Sequence, residues 1–470
     1  MNPLMFADPA FLFCFAPVVL TAHYALPRNL RNAFLLTVSV VLYAWGDGRN
    51  VTVLLLSMTL NYVFGRLIAR RESSRKGLLV FGVSANLALL ILFKYLGFFI
   101  ANAGTVMQWL GMTVVSVPKI RLPIGISVFT FMGISYLVDV YRREVAGEKN
   151  PITFGLYLGM FPHLIAGPIV RFQNIAAELH ERSTPMPEVA EGVRRFVIGL
   201  GKKVLIGNTV AATADAVFAL PADRLSGPLA WLGLVCYTLQ IYFDFSGYSD
   251  MAIGLARMLG FRFPENFNYP YVSQSLTEFW RRWHISLSTW LRDYLFFPLG
   301  VRGGRWKLYR NTLIVFLLCG LWHGAAWHFV LWGLFHGTFL VLERIGLEKQ
   351  LAAWPRAIRH GYALLTVMLG WVVFRADTVS VAARYLTALS GLSYPPLADA
   401  DVLRYVPMDV GLAIIAGIAG SMPLRTWWPR LQLPELLARS AEFSALTIVF
   451  LFSLAFLSSG TYSPFIYFRF

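Results

Sequence analysis

The sequence predicts an all-α polytopic membrane protein, and three observations carry the prediction. The 470 residues are 57% hydrophobic and only 14% charged, with a mean hydropathy of +0.58, whereas a soluble domain is nearer a quarter charged. Apolar runs near the roughly twenty residues that a spanning helix needs recur from one end of the chain to the other. The polar exceptions gather in one window, Thr277 to Gly337, which holds four of the eight histidines. One integral-membrane domain over residues 1–470 accounts for this pattern better than the roughly three soluble domains that length alone allows.

The first apolar run, Pro9 to Leu26, has neither the basic start nor the small-residue cleavage site of a signal peptide, and it predicts a retained first helix. Further spans are predicted at 31–46, 51–68, 77–101, 122–141, 152–171, 226–245, 311–321, 323–341, 359–375, 408–422 and 441–458. That makes about 10–12 transmembrane or re-entrant helices, some of them short or broken. Gly and Pro interrupt RLPIGIS and HLIAGPIV. Such breaks survive at membrane depth only where neighbours or a water-filled cavity satisfy the freed backbone, so a packed bundle with an internal cavity is expected.

Basic clusters fall at Arg28 and Arg31, at Arg66, Arg70, Arg71, Arg75 and Lys76, and at Arg142 and Arg143. If the early spans alternate, all three lie on one side; the positive-inside rule makes that side cytoplasmic and the N-terminus periplasmic. Basic loops facing an anionic leaflet also account for the net charge of +16. Without a basic stripe or recognition motif, that charge implies membrane lipids and no nucleic acid. Cys14, Cys236 and Cys319 lie in apolar segments without ligand spacing and read as small core residues. Glu191 to Ala219 mixes Arg194, Arg195, Lys202 and Lys203 with apolar residues and predicts an interfacial amphipathic helix on the cytoplasmic face. Thr277 to Leu299 is similarly mixed and is expected to lie flat or dip inward, with no clean capping box at its start.

A histidine in an apolar segment is costly to bury and marks a candidate functional site, with a hydrogen-bonded structural role as the competing reading. On one continuous helix His328, Trp332 and His336 share a face. His323, five residues before His328, is then turned about 140° away. That divergence, with no HExxH or CxxC pattern, argues against zinc, and no metal or bound cofactor is expected. The small residues after His323, Gly324-Ala325-Ala326, let a backbone or a substrate come close. A neutral imidazole can take the proton of a hydroxyl, as acyl transfer to an alcohol requires. With no GxSxG elbow and no Cys–His pair of known pattern, a histidine base without a protein nucleophile is the simplest chemistry. His284 either orients the substrate or polarises an acyl carbonyl, or it bonds a backbone carbonyl; the residues leave both open. Asp244 and Asp250, with Ser246 and Tyr248 in QIYFDFSGYSDMA, need cations, which Arg281, Arg282 or Arg292 could supply in a structural ion pair. Asn266, Asn268 and Tyr269 predict an ordered loop beside them. Intramembrane histidines and broken helices also suit a non-enzymatic transporter, although no pair of broken segments repeats in the two halves.

The stretches LPIGISVFTFMGISYLVDVYR, FPHLIAGPIVRF, QIYFDFSGYSDMAIGLARMLGF, FPENFNYPY, FWRRWHISLSTWLRDYLFFPLG, GLWHGAAWHFVLWGLFHG, WVVFRAD and SPFIYFRF follow one another over residues 122–470. Together they resemble the membrane-bound O-acyltransferase family (MBOAT), in its bacterial alginate O-acetyltransferase-like branch. The resemblance implies a bundle around a central funnel. Its catalytic core would span 122–375, between N-terminal helices at 1–120 and C-terminal helices at 376–470. It makes His323 the essential histidine and His284 the second characteristic polar position. Arg281, Arg282 and Asp293 would hold that segment, with Asp244 and Asp250 in support. The implied reaction takes acetyl from a cytoplasmic donor, with acetyl-CoA foremost. Acetyl then crosses the bacterial inner membrane to an exported exopolysaccharide of alginate or cellulose type, through a periplasmic SGNH-type acetyltransferase partner. Met132 and the segment PLGVRGGRWKLYRN depart from the family's usual sequence and leave the polymer open. Transfer of D-alanyl or another acyl group to a cell-envelope polymer is the neighbouring reading.

Overall fold

The computed structural model describes residues 5–113, 120–164, 167–221, 224–301, 303–391, 402–427 and 434–460. The terminal SPFIYFRF and Ile165-Ala166 of HLIAGPIV lie outside the described residues. Among the described residues the regular structure is helical, with no strand. Six helical runs are long and apolar enough to cross a membrane: Arg28–Arg70, Arg75–Trp109, Met186–Phe218, Trp327–Ala352, Arg356–Arg375 and Glu435–Ser458. Shorter apolar helices cover Phe11–Ala25, Val379–Leu389 and Met408–Gly420. The protein is an all-α, multi-pass membrane protein. Its chain forms two compact units, Met1–Val193 with Ala252–Pro264, and Arg194–Met251 with Glu265–Phe470.

The first unit contains α1 (Ala16–Ala25), α2 (Arg31–Asp47), α3 (Val51–Arg70), α4 (Arg75–Leu90), α5 (Leu96–Trp109), α6 (Ile126–Arg142) and α7 (Pro151–Gly159). Proline in the first turn starts α1 and α7, where its missing N–H costs nothing. Asn150 caps α7 by accepting from the Ile152 amide at 2.9 Å. Between α3 and α4 the buried amides of Asn61 and Asn86 satisfy each other reciprocally at 3.0 and 2.8 Å. Gly133 of α6 leaves the room they need, since a Cβ there would lie 2.7 Å from the Asn61 Cγ. The break in RLPIGIS is resolved by side chains. The Ile124 amide donates to Asp47 at 2.7 Å, and the Tyr43 hydroxyl donates to the Ile124 carbonyl at 2.8 Å. Gly125 has φ of +70°, and a Cβ on it would sit 2.2 Å from the Leu164 carbonyl oxygen. The span predicted at 152–171 is not one helix. It ends at Gly159 and resumes as the short turn Phe161–Leu164, because Pro162 has no N–H to continue the ladder.

In the second unit the predicted interfacial helix at Glu191–Ala219 is corrected. It is a helical run of α8 (Met186–Gly201), a π-helical stretch Lys202–Asn208 and α9 (Thr209–Phe218). Several of its cations turn inward. Lys203 is 2% exposed and pairs with Asp244 at 2.5 Å, while Arg195 and Lys202 reach Asp250 at 2.8 and 2.7 Å. The acids sit on α10 (Gly227–Met258). Glycine explains the approach, since a Cβ on Gly199 would lie 2.6 Å from the Gly247 carbonyl oxygen. Once two backbones touch, flanking charges leave water and must pair. The amphipathic pattern is an internal polar stripe, not a headgroup-facing one.

Candidate active site

The window Thr277 to Leu299 is three short pieces: α11 (Leu276–Arg282), α12 (Ile285–Leu291) and a π-helical turn Arg292–Phe296. Its start is capped after all. Ser275 Oγ accepts from the Glu278 amide at 3.0 Å, and Glu278 accepts from the Gln274 amide at 2.9 Å. Ser275-Leu276-Thr277-Glu278 thus carries the Ser-x-x-Glu pattern, which begins two residues before the Thr277 start of the window. A second anchor comes from Glu343, 1% exposed. Its carboxylate accepts from the Leu276 and Thr277 amides at 2.6 and 2.9 Å, from Thr277 Oγ1 at 2.6 Å, and from the Tyr362 hydroxyl at 3.2 Å. An acid at the end of the apolar run 327–342 was the signal that could have found it.

His323, His328 and His336 are set by a helical hairpin, α13 (Arg305–His323) and α14 (Trp327–Leu342). The predicted helix through 323–341 is broken: His323 is the last residue of α13, Gly324 and Ala326 are extended, and α14 begins at Trp327. Glycines let the two arms meet. A Cβ on Gly320 would lie 2.1 Å from the Phe329 carbonyl oxygen, and one on Gly333 would lie 2.2 Å from that of Phe316. His323 and His336 belong to different helices, so the divergence of about 140° expected on one continuous helix does not hold. The buried His323 ring packs edge-on against Trp322, Trp332 and Phe374, with ring centres 4.9, 5.1 and 5.1 Å away. Trp332 in turn contacts His336 at 5.0 Å. His336 is fully buried, also lies 5.1 Å from Trp280, and has no hydrogen-bond partner on either ring nitrogen among the described residues. His328 packs on Phe329 at 4.2 Å.

His284 opens α12 in the left-handed region, φ +44° and ψ +54°, a strained conformation for a side chain of this size. Its ring packs edge-on against Phe245 at 4.8 Å and lies 6.0 Å from Trp322. The Trp322 indole therefore neighbours both His284 and His323. Nδ1 of His284 is 3.1 Å from Asn266 Oδ1. His284 lies outside the membrane-spanning helices, and burial alone pushes its imidazole down to about 3, so the ring is neutral at physiological pH.

The charged candidates divide. Arg282 pairs with Glu278 at 2.9 Å and donates to the Asn268 carbonyl at 3.1 Å, tying α11 to the FPENFNYPY loop. Arg292 pairs with the adjacent Asp293 at 2.7 Å, and Arg281 is exposed. The cations beside Asp244 and Asp250 come from Arg195, Lys202 and Lys203, not from the arginines of the 281–292 segment. Among the described residues no three His, Cys, Asp or Glu side chains are grouped to hold a metal ion. A cavity of about 1010 Å³ opens in the same unit, lined by Arg282, Glu278, Arg356 and His360 and by apolar residues such as Met368 and Leu239. Its wall includes Tyr271, whose hydroxyl accepts from Trp371 Nε1 at 3.2 Å. Trp371 packs on Trp283, next to His284, at 4.9 Å.

Comparison with known proteins places this arrangement. The family model described as MBOAT, membrane-bound O-acyltransferase family, matches residues 141–381. The chain is 43% identical to a probable alginate O-acetylase AlgI of Azotobacter vinelandii over 88% of this chain and 83% of that one. It is 39% identical to the protein of the same name from Pseudomonas putida, over 99% of this chain and all of that one. It is 34% identical to a peptidoglycan O-acetyltransferase of Helicobacter pylori, over 83% and 80% of the two chains. The family match spans the FPENFNYPY loop, the histidine window Thr277 to Gly337 and the Trp371–Phe374 wall, and with those relatives it makes the chain a member of the membrane-bound O-acyltransferase family, an O-acyltransferase.

Proposed function

We propose that this enzyme takes acetyl from acetyl-CoA at the cytoplasmic face of the inner membrane and passes it across for O-acetylation of an exported polysaccharide of alginate or cellulose type. The observation that carries the reading is the packing of both His323 and His284 against one buried indole, in a unit built of membrane-type helices. The names of the relatives, alginate O-acetylase and peptidoglycan O-acetyltransferase, supply the acyl group and the polymer class.

In this reading His323 is the general base. Its neutral imidazole takes the proton of an acceptor hydroxyl as that oxygen attacks the thioester carbonyl. The C–S bond breaks, and the imidazolium returns the proton to the departing thiolate. The aromatic wall of Trp322, Trp332 and Phe374 keeps water from competing for the acyl group. His284 assists in placing the reacting groups. Arg282, Asp293 and the exposed Arg281 belong to the segment that carries it, and the Asp244 and Asp250 ion pairs brace the unit. The cations of the cavity, Arg282 and Arg356, suit a donor that bears phosphates. The N-terminus is periplasmic, and a periplasmic SGNH-type acetyltransferase hands the group to the polymer.

Sealed proteoliposomes test the transfer. Acetyl-labelled CoA is added on one side and a hydroxylated oligosaccharide, with or without a purified SGNH-type partner, is enclosed on the other. The proposal requires label on the enclosed sugar, dependent on the enzyme. Label that stays with the donor, or appears only on lipid, refutes it.

A further inference from the structure

The loop that holds Asn266 determines which nitrogen of His284 carries the proton. Asn266 is 1% exposed, and its side chain makes four polar contacts. Oδ1 receives the Ser286 amide at 3.2 Å and the Ser286 hydroxyl at 2.9 Å, and it faces His284 Nδ1 at 3.1 Å. Nδ2 donates to Ser249 Oγ at 3.1 Å. A backbone N–H can only donate, so the amide atom facing Ser286 is the oxygen, and the orientation of the amide follows from chemistry. The same oxygen faces His284 Nδ1, which must therefore bear the hydrogen. A neutral imidazole has one N–H, so its lone pair is on Nε2. No hydrogen bond engages Nε2 among the described residues.

Resting on the proposed acetyl transfer, we propose that Asn266 is a positioning residue that locks His284 as the Nδ1–H tautomer, leaving Nε2 as a hydrogen-bond acceptor for the acceptor hydroxyl. This assigns His284 a direction. In its neutral form it accepts a hydrogen bond from an O–H, and it has no second N–H with which to polarise an acyl carbonyl. The hydroxyl carries a single proton, so this bond orients the alcohol before transfer and gives way when that proton turns to His323, the base that removes it.

The loop is pinned independently of the amide. The Ile285 amide donates to the Asn266 carbonyl at 2.9 Å, and the Asn268 amide donates to the Arg282 carbonyl at 3.0 Å. Side-chain variants at Asn266 therefore keep the backbone that presents His284. The left-handed φ of His284 belongs to the same geometry, since it aims the ring back at Asn266 while the chain turns into α12.

The test uses ¹⁵N,¹³C-histidine-labelled full-length protein in lipid bilayers, with the His284 signals identified by difference against His284→Gln. The wild type is expected to show the Nδ1–H tautomer, Asn266→Asp to keep it, and Asn266→Leu to lose it. In parallel, Asn266→Leu should lower kcat for acetyl transfer by on the order of 10²-fold with the donor KM unchanged, and Asn266→Asp should restore most of it. An Nε2–H tautomer in the wild type overturns the proposal. So does an Asn266→Leu protein with the wild-type spectrum, or one that transfers at the wild-type rate. The spectrum reads the tautomer whether or not acetyl-CoA is the donor, so a failure of the proposed function shows itself separately, as a wild type that transfers no acetyl.

Discussion

The hairpin that ends in His323 gives the most direct handle on the geometry, through Gly320→Ala. A Cβ at Gly320 would lie 2.1 Å from the Phe329 carbonyl oxygen and 3.3 Å from the Gly333 Cα, and real Cβ atoms essentially never approach below 3.0 Å. The obstacle is backbone on the facing arm, so no side-chain rotation relieves it. The arms must separate by about 1 Å at this crossing. Overpacking of this kind costs about 1–3 kcal/mol. His323 is three residues further along the same helix and moves with it. A misplacement of about 1 Å costs roughly 100-fold in rate when a catalytic group is involved. Gly361→Ala is the matched control, because a Cβ there meets nothing within 4 Å in the exposed part of α15 (Arg356–Arg375). That change should be neutral or stabilise by up to about 1 kcal/mol. Thermal unfolding in detergent and acetyl-transfer rates of the two variants, measured side by side, check this. If Gly320→Ala matches Gly361→Ala in both, the tight crossing does not hold His323 and the reasoning is refuted.

Three further outcomes are expected. Removing Lys203 as Lys203→Met leaves Asp244 buried without its ammonium and should cost about 3–5 kcal/mol; the double variant Lys203→Met with Asp244→Asn should recover most of that loss, and strictly additive unfolding free energies would contradict the pairing. Glu343→Gln puts an NH₂ against donors now held by the carboxylate; the loss of charge-assisted bonds should destabilise by about 2–3 kcal/mol and raise hydrogen exchange at the Leu276 and Thr277 amides, and unchanged protection would sink it. The imidazole of His284 is held at about 3 in the folded protein against 6.5 ordinarily. Between those values only the unfolded chain takes up the proton, so the stability present above pH 6.5 is lost as pH falls, by about 2 kcal/mol at pH 5. His284→Gln should lose about 2 kcal/mol less stability than wild type between pH 7 and pH 5, and an equally steep profile in that variant assigns the acid sensitivity elsewhere.

Composition and apolar periodicity made the fold class legible, because a helix that faces lipid must be apolar along its length. α10 shows where that signal weakens. It runs from Gly227 to Met258, well past the predicted span of 226–245, because Asp244 and Asp250 lower the hydropathy that marks a span although both are paired inside the protein. The cations of 194–203 were visible as a pattern, but whether a polar stripe faces headgroups or a neighbouring helix depends on the glycines opposite, Gly199 and Gly247, and on a pairing that no local rule gives. His323 and His284 were legible as costly polar residues in apolar surroundings. Their relation was not, since Trp322 is shared by two elements that meet only in the folded unit. The break after His323 falls at Gly324-Ala325-Ala326, small residues that suit both a close approach and a helix end, and nothing local separates the two. Glu343 and Asn266 were missed as anchors for the same reason: each acts on a segment distant in sequence, 66 and 18 residues away.

The central claim is that His323 carries the acyl-transfer chemistry. A single-turnover experiment with radiolabelled acetyl-CoA in proteoliposomes tests it, comparing wild type with His323→Ala and using size-exclusion profiles to show that both are folded. The account predicts that wild type releases CoA and passes label to a hydroxyl acceptor, while His323→Ala does neither. Transfer by His323→Ala at the wild-type rate would make the histidine a packing residue and contradict the account.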